Sequence, residues 1–267
     1  MRKIWYKFAA VSLLSVMTVC SLAGGNVQAK SHKKRQKTKI SKQTVTAFPG
    51  MGGVTLKLRH NQSGKAVVWT SADPRIASVD AQGNLAFNKE GNVMVRAKVG
   101  RRSYKCLVSV CDKKAYGAVQ KALQFYHARN MRYSQGNRMG RRSADCSSFV
   151  GRCYLPQGYT MGGTSRWCNT AAGQALWATQ NGKVVSNGKP SVGSKKMLPG
   201  DIVFYRKGHN GRYKNIYHVE IFLGYEYDGK KLKGYTMSSI IGNYPSILKR
   251  DYMSRRHKVA EVARPTK

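Results

Sequence analysis

The spacing of apolar residues changes near residue 113, and this change limits what the chain can fold into. Before it, apolar side chains alternate over short segments, as in Val93, Val95 and Ala97, with turn residues between the segments. After it, apolar residues first recur at helical spacing and then form continuous runs. This order predicts a small all-β sandwich followed by an α+β domain whose sheet is antiparallel.

The first 29 residues have the pattern of an export signal. Basic residues stand at the start, residues 8–22 are mostly apolar, and Val27-Gln28-Ala29 is a small-residue cleavage site. We therefore predict a secreted bacterial protein, extracellular or associated with the cell wall, that loses residues 1–29. The apolar segment is too short and too polar for a good membrane span, and no other stretch approaches membrane length, so we predict no transmembrane segment.

The chain is strongly basic, with 48 Lys and Arg against 11 Asp and Glu and a formal net charge of +37. Such a charge attracts polyanions. No zinc-finger spacing or aromatic RNA-binding motif is present, and an exported protein meets anionic wall polymers, so we predict these as partners and not nucleic acid. Residues 30–43 are dense in Lys and Arg and predict a flexible arm, either a simple spacer or an electrostatic tether.

Residues 44–112 carry the alternating strands, with Trp69 as the large core residue. The run from Val68 to Pro74, then Ile76 to Asp80, then Gly83 and Leu85, resembles the second group of bacterial immunoglobulin-like domains. The resemblance implies a spacer or a binding module of a surface protein. No catalytic combination of residues is visible in this segment.

Cys146 begins a predicted amphipathic helix. Counted from it, Phe149, Val150, Cys153 and Tyr154 fall at i+3, i+4, i+7 and i+8, which is one helical face. A cysteine in the first turn lies near free backbone N–H groups and the positive end of the helix dipole, which stabilise a thiolate. The pattern alone leaves two interpretations open, a nucleophile or a packed or disulfide-bonded cysteine.

Two further segments follow Cys146 in the chain. One is the turn Leu198-Pro199-Gly200-Asp201, which leads into a strand, and the other is the strand that begins Tyr217-His218-Val219. In this order the three segments resemble the NlpC family of cell-wall cysteine peptidases, which share a papain-like core. We assign this domain to residues 113–257, with a tail at 258–267. The resemblance implies that Cys146 is the nucleophile and His218 the base. His209 and His257 are rival bases, but they lie in a polar loop and in a basic tail.

The resemblance also implies a third polar residue that orients the histidine, commonly His, Asn or Gln on the next strand. That strand reads Gly234-Tyr235-Thr236-Met237-Ser238-Ser239, and we expect Ser238 in this role, with Ser239 and Asn243 as rivals. Substrate-binding residues are implied at Tyr133, Asp145 and Ser147, although the last two are also suited to cap the helix. In the preceding loop, Arg138, Arg141 and Arg142 either bind substrate carboxylates or are solvated charges.

The distances between the cysteines exclude some disulfide pairings. Cys106 and Cys111 are about 16 Å apart on one strand, and Cys146 and Cys153 are about 10 Å apart on one helix. A disulfide tolerates about 7 Å between Cα atoms, so a bridge from Cys153 to Cys168 remains possible and at least one thiol is free. No pair has the spacing of a zinc site, and we predict neither a structural metal nor a cofactor.

Together these features predict a secreted peptidoglycan hydrolase. It would be a cysteine endopeptidase that cuts stem peptides through a thioester, with the bond between D-glutamate and the diamino acid as the expected target. An amidase that cuts between muramic acid and L-alanine is a close alternative. Two alternatives come from other classes: a surface-binding or adhesive protein with a degenerate peptidase domain, and a cationic protein that acts by charge alone.

Overall fold

The structure, a computed structural model, describes residues 36–267. The predicted export signal at residues 1–29, and residues 30–35 of the predicted arm, lie outside the described residues. Lys37–Lys267 group into one unit, within which an N-terminal β domain is followed by an α+β domain. In the described part of the chain, no helix has the length and apolar character needed to cross a membrane.

The N-terminal domain consists of short strands whose alternate residues face its core. Its four-stranded sheet has the order β2-β8-β7-β4, in which β2 and β8 are parallel, and two ribbons pair β1 with β3 and β5 with β6. Val93, Val95 and Ala97 are buried as their alternation predicts, and the half-buried Trp69 packs against the same core. The strands are β1 (Lys39–Ile40), β2 (Thr44–Ala47), β3 (Leu58–Arg59), β4 (Val68–Ser71), β5 (Ala77–Val79), β6 (Leu85–Phe87), β7 (Gly91–Val99) and β8 (Arg102–Val110).

The domain begins earlier than the sequence pattern suggested. Lys39 and Ile40 of β1 lie within the range predicted as a flexible arm, yet they pair with Arg59 and Leu58 of β3, and Ile40 is buried in the domain core. A two-residue strand within a basic segment leaves almost no periodicity to detect. At Gly83, with φ of 86°, a Cβ would lie 2.3 Å from the Leu56 carbonyl oxygen and 3.1 Å from the Trp69 ring, so this turn requires glycine.

The second domain packs helices against an antiparallel six-stranded sheet of order β11-β16-β12-β13-β14-β15. Its helices are α1 (Lys113–Ala128), α2 (Cys146–Tyr154) and α3 (Ala171–Gln180). Its strands are β9 (Arg132–Tyr133), β10 (Ser143–Ala144), β11 (Val184–Ser186), β12 (Ile202–Arg206), β13 (Ile216–Asp228), β14 (Lys231–Ser239), β15 (Ile247–Asp251) and β16 (Val259–Ala263). Single 3₁₀ turns span Leu155–Gln157, Tyr213–Asn215, Tyr252–Ser254 and Arg256–Lys258.

Both faces of this sheet are covered, which explains the continuous apolar run in β12. Ile202 and Phe204 belong to the core shared with the helices. Val203 and Tyr205 face the other way, into a cluster that includes Leu107 from β8 of the N-terminal domain. Because successive strand residues point to opposite faces, each of these side chains needs to be apolar. The N-terminal domain therefore supplies part of the wall behind the sheet.

The range predicted as a tail contains an interior strand. β16 lies between β11 and β12, with hydrogen-bonded neighbours on both sides. Just beyond it, the Arg264 guanidinium donates to both carboxylate oxygens of the fully buried Asp201, at 2.7 and 2.9 Å. The sequence analysis missed this strand because residues 259–263 are few and are interrupted by Glu261, whose carboxylate is buried and ion-paired with Lys214.

The five described cysteines are free thiols, and all five are buried. The bridge between Cys153 and Cys168 that the sequence left open is therefore not formed. Burial raises the pKa of Cys106 and of Cys111 to about 12, and it also raises the pKa of Cys153. These three thiols are packing groups and stay protonated near neutral pH.

Candidate active site

The start of α2 is fixed by a capping box around Cys146. The Asp145 carboxylate accepts the Ser148 backbone N–H at 2.7 Å, and the Ser148 hydroxyl oxygen accepts the Asp145 backbone N–H at 2.9 Å. Cys146 is thereby held as the first residue of the helix and is 7% exposed. Its own N–H belongs to the first turn, where no helical carbonyl can accept it, and is free to serve a negatively charged oxygen.

His218 lies on β13 and interacts with the Cys146 thiol. Burial acts to lower the pKa of His218, but hydrogen bonds to Cys146 and to Glu220 outweigh it and raise the pKa above its usual value. The ring nitrogen Nε2 lies 2.9 Å from Oε1 of Glu220, which leaves Nδ1 for the thiol. A base near a thiol, oriented by a third group, is the arrangement that nucleophilic catalysis uses.

The third group is Glu220, which the sequence analysis did not select. Its carboxylate is fully buried and accepts hydrogen bonds from Arg255 at 2.8 Å, from the Tyr205 hydroxyl at 3.2 Å and from the Thr236 hydroxyl. Burial acts to raise the pKa of Glu220, but His218, Thr236 and Arg255 together lower it to about 2. The acid is therefore ionised throughout the neutral range and favours the protonated imidazole.

The structure does not place Ser238 against His218. The Ser238 hydroxyl donates to the Val219 carbonyl oxygen at 2.8 Å, which ties β14 to β13. The rivals have other partners too: Ser239 donates to the Ala144 carbonyl oxygen, and the exposed Asn243 amide donates to the carbonyl of Ile241. β14 instead contributes the Thr236 hydroxyl, which donates to Glu220. The expected contact between Ser238 and His218 is thus replaced by a hydrogen-bond network around Glu220.

A cavity of about 200 Å³ opens beside Cys146, and all three predicted substrate-binding residues, Tyr133, Asp145 and Ser147, line it. Arg138 also lines the cavity and is buried, with Nε 3.2 Å from Oδ2 of Asp145 and Nη2 2.6 Å from the Ser147 hydroxyl oxygen. Its loop neighbours Arg141 and Arg142 are exposed. The structure thus assigns Arg138 to the site and leaves the other two in solvent.

A sequence signal for Glu220 was present. His218 and Glu220 are two residues apart on one strand, so their side chains point to the same face. A glutamate within an otherwise apolar run is costly to bury unless it is paired, which marks it as a functional candidate. The rival bases His209 and His257 are exposed. Within residues 36–267, no group of three or more His, Cys, Asp or Glu side chains is arranged to hold a metal ion.

Comparison with known families agrees with both resemblances. Residues 130–253 match the model of the NlpC/P60 family, and residues 53–108 match that of the bacterial Ig-like domain, group 2. Residues 130–253 therefore form an NlpC/P60 domain. Members of this family are cysteine peptidases. The NlpC/P60 match contains Cys146, His218 and Glu220, so the site lies wholly within the domain, and the group 2 Ig-like domain precedes it.

Solved structures resemble parts of the chain. An NLP/P60-family protein similar to lipoprotein, from Staphylococcus aureus subsp. aureus Mu50, is 20% identical over 58% of this chain and 42% of its own, with a TM-score of 0.37. The crystal structure of Ly7917 is 19% identical over 57% of this chain and 62% of its own, with a TM-score of 0.32. Domains 4 and 5 of the S-layer protein SbsC are 22% identical over 28% of this chain and 51% of that structure's chain, with a TM-score of 0.24.

This chain spans less than two thirds of each of those structures. None of the TM-scores reaches 0.5, so the family models alone decide the domain assignment. No curated protein sequence matches the chain.

Proposed function

We propose that this chain is a peptidoglycan endopeptidase that hydrolyses an amide bond of a stem peptide with Cys146 as the nucleophile. One observation carries the proposal: Cys146, at the start of α2, interacts with His218, and His218 is in turn hydrogen-bonded to the buried, ionised Glu220. We call these three residues the triad. Membership of the NlpC/P60 family supports a substrate related to peptidoglycan.

The chemistry follows from the positions of the groups. The Cys146 thiolate adds to the amide carbonyl carbon, and the oxygen that becomes negative is stabilised by the backbone N–H of Cys146 and by the helix dipole. The C–N bond then breaks as the protonated His218 gives its proton to the leaving amine. The thioester is cleaved by water, whose proton His218 accepts, and the products are a carboxylic acid and the free thiol. Glu220 holds the imidazole in place and stabilises its positive form.

The charges of the cavity favour a substrate that carries a carboxylate. Arg138 and Arg212 line it, and Asp145 is the one acid among the lining residues. Asp145 already pairs with Arg138, so a substrate meets a net positive surface. A D-glutamyl residue linked through its side chain retains a free α-carboxylate. We therefore propose the bond between D-glutamate and the following diamino acid as the target.

The proposed location is the cell exterior or the wall. The pattern at residues 1–29 supports export. The strong positive charge supports retention on anionic wall polymers, since removal of residues 1–29 takes only three of the 48 Lys and Arg. The alternative of an inactive surface-binding protein has two supports, a missing third residue and an unusual loop after Tyr133. The hydrogen bond from His218 to Glu220 removes the first of them. An amidase shares the same chemistry and differs only in the bond cut.

Digestion of purified peptidoglycan tests the proposal. The chain without residues 1–29 is compared with Cys146→Ala and, as a matched control, with Cys168→Ala, which removes a second buried thiol that does not line the cavity. We expect the unmodified chain and the control to release the same fragments, and Cys146→Ala to release none. Mass spectrometry identifies the bond, because an endopeptidase frees the amine of the diamino acid, whereas an amidase frees that of L-alanine. Equal release by all three proteins would sink the thiol mechanism.

A further inference from the structure

A second and larger cleft lies between the two domains. Its volume is about 890 Å³, and it is lined by β1, β3 and β8 of the N-terminal domain and by the turn between β13 and β14 of the NlpC/P60 domain. Four of its lining residues are cations, Lys39, Arg59, Lys105 and Lys230, and none is an acid. All four are exposed, and none of them forms an ion pair in the described part of the chain. We call this the cationic cleft.

Two like-charge pairs are built into the strands at this cleft. Lys39 lies directly opposite Arg59 in the β1–β3 ribbon. Lys105 lies directly opposite Arg96 in the β7–β8 pair. Opposed side chains in a sheet share one face about 5 Å apart, and like charges there destabilise the pairing. The repulsion ends when an anion binds between the two cations. The pair of Lys39 and Arg59, both of which line the cleft, therefore indicates an anionic ligand independently of the shape of the cleft, whereas Arg96 lies outside the lining.

The nearest acids of the hairpin are already engaged. Asp228 precedes the turn and is ion-paired with Lys233 at 2.9 Å. Glu226 is ion-paired with Lys249 at 2.6 Å. These carboxylates neutralise other lysines and leave the cations of the cleft without an intramolecular partner. The cleft thus keeps a concentrated positive charge that only an external anion can balance.

We infer that the cationic cleft binds a linear phosphodiester polymer of the polyol phosphate type. A guanidinium and several ammonium groups along one groove suit a chain of phosphates, which accept several charge-assisted hydrogen bonds each. Stacked nucleobases need a succession of free aromatic faces. Of the two tyrosines that line the cleft, Tyr104 packs against the core of the N-terminal domain, so Tyr227 alone cannot form such a succession. The inference concerns a site formed by both domains and does not depend on the proposed hydrolysis.

Binding of poly(glycerol phosphate) to the full secreted chain tests this inference. The cleft variant carries Lys39→Gln, Arg59→Gln, Lys105→Gln and Lys230→Gln. The matched control carries Lys89→Gln, Lys196→Gln, Arg206→Gln and Lys207→Gln, four exposed cations outside the cleft. We expect Kd to rise at least about tenfold in the cleft variant and less than about threefold in the control. The slope of log K against log salt is negative, and its magnitude should fall by about 3 in the cleft variant, since each of the four lost phosphate contacts contributes about 0.7.

Thermal melting without polymer separates binding from misfolding. The cleft variant should melt no lower than the unmodified chain, because it loses two repulsive pairs. Polymer should raise the melting temperature of the unmodified chain and of the control, and that of the cleft variant less. Equal weakening in both variants would show that net charge binds the polymer, and it would overturn the assignment of a site. Equal or tighter binding of single-stranded DNA of the same charge, with the same loss in the cleft variant, would overturn the choice of polymer. Neither result bears on peptide cleavage, which is read separately.

Discussion

At the scale of single residues, Glu220 has three donors besides His218 and no contact with solvent. In Glu220→Gln the shape is kept and the charge is lost, so the imidazolium is less stable and Arg255 loses its ionic partner. We expect kcat/KM on a stem peptide to fall by about 10²-fold or more, an effect of the size usual for disturbed proton transfer. Steady-state kinetics on a defined peptide measures it.

Ser238→Ala is the matched control for that experiment. The hydroxyl joins two strands through the Val219 carbonyl and does not contact the imidazole. We expect a loss of about 1 kcal/mol in the free energy of unfolding and a change of less than about threefold in kcat/KM. A large loss of activity in Ser238→Ala, together with an active Glu220→Gln, would restore the serine to the role predicted from sequence.

The pH dependence of the rate provides a separate readout of Glu220. A thiolate paired with imidazolium needs a protonated His218, so kcat/KM should decline as pH rises through the pKa of His218. That pKa is raised above 6.5 by Cys146 and Glu220 against the effect of burial. In Glu220→Gln the alkaline limb should therefore move to lower pH. If kcat/KM of Glu220→Gln is lower but its alkaline limb stays at the same pH as in the unmodified chain, Glu220 is only a packing group.

The sequence predicts Cys146 and His218 as site residues, but it could not show which polar neighbour of the imidazole accompanies them. Spacing from a helix start and from a Pro-Gly-Asp turn locates those two residues on their elements. The partner of the imidazole depends on the directions of side chains on neighbouring strands. Glu220 lies on the strand of His218 and Ser238 on the next one, and the sequence does not show which of them contacts the ring. The burial of Arg138 could not be predicted either. A loop has no periodicity that separates buried from exposed positions, and an arginine there is equally consistent with a solvated charge.

At the scale of elements, the pair of Arg264 and Asp201 attaches the segment after β16 to the turn that begins β12. Arg264→Gln leaves a fully buried carboxylate without its cation, which costs about 3–5 kcal/mol of stability. We expect a matching decrease in the free energy of unfolding in urea. The control is Lys258→Gln, a cation of the same region without an ion pair among the described residues, which should change stability by less than about 0.5 kcal/mol.

Elements with strong periodicity were predicted well and short ones were not. The α2 helix begins at Cys146 as expected. β12 follows the Pro-Gly-Asp turn, β13 contains the predicted strand of His218, and β14 contains the next predicted strand. The sequence also predicts a helix over Ser165 to Ala178, which carries Trp167, Leu176 and Trp177. The helix begins instead at Ala171, because the Thr170 hydroxyl oxygen accepts the Gly173 N–H. β1 and β16 were not predicted because each is short and pairs with strands that are distant in the sequence. The contacts that stabilise them therefore leave little pattern in their own residues.

At the scale of the whole molecule, the two domains share a buried surface. Leu107 of β8 is part of the apolar cluster on the back of the NlpC/P60 sheet, and the Asn92 amide donates to the carbonyl oxygens of Lys195 and Met197 at 2.7 and 2.9 Å. We therefore expect one cooperative unfolding transition rather than two. Calorimetry checks this: Asn92→Ala should lower the midpoint, and two resolved transitions in the unmodified chain would contradict the coupling.

The position of β16 has a consequence for how the protein comes into being. Its partner β12 lies more than fifty residues earlier in the chain, and the sheet between β11 and β12 stays open until β16 enters it. A growing chain therefore cannot close the domain until synthesis has passed residue 263, and contacts of such long sequence separation form slowly. Until then Cys146 belongs to an incomplete fold. The proposed triad therefore cannot take its final geometry before this strand has been made, and the proposed peptidase activity depends on its insertion.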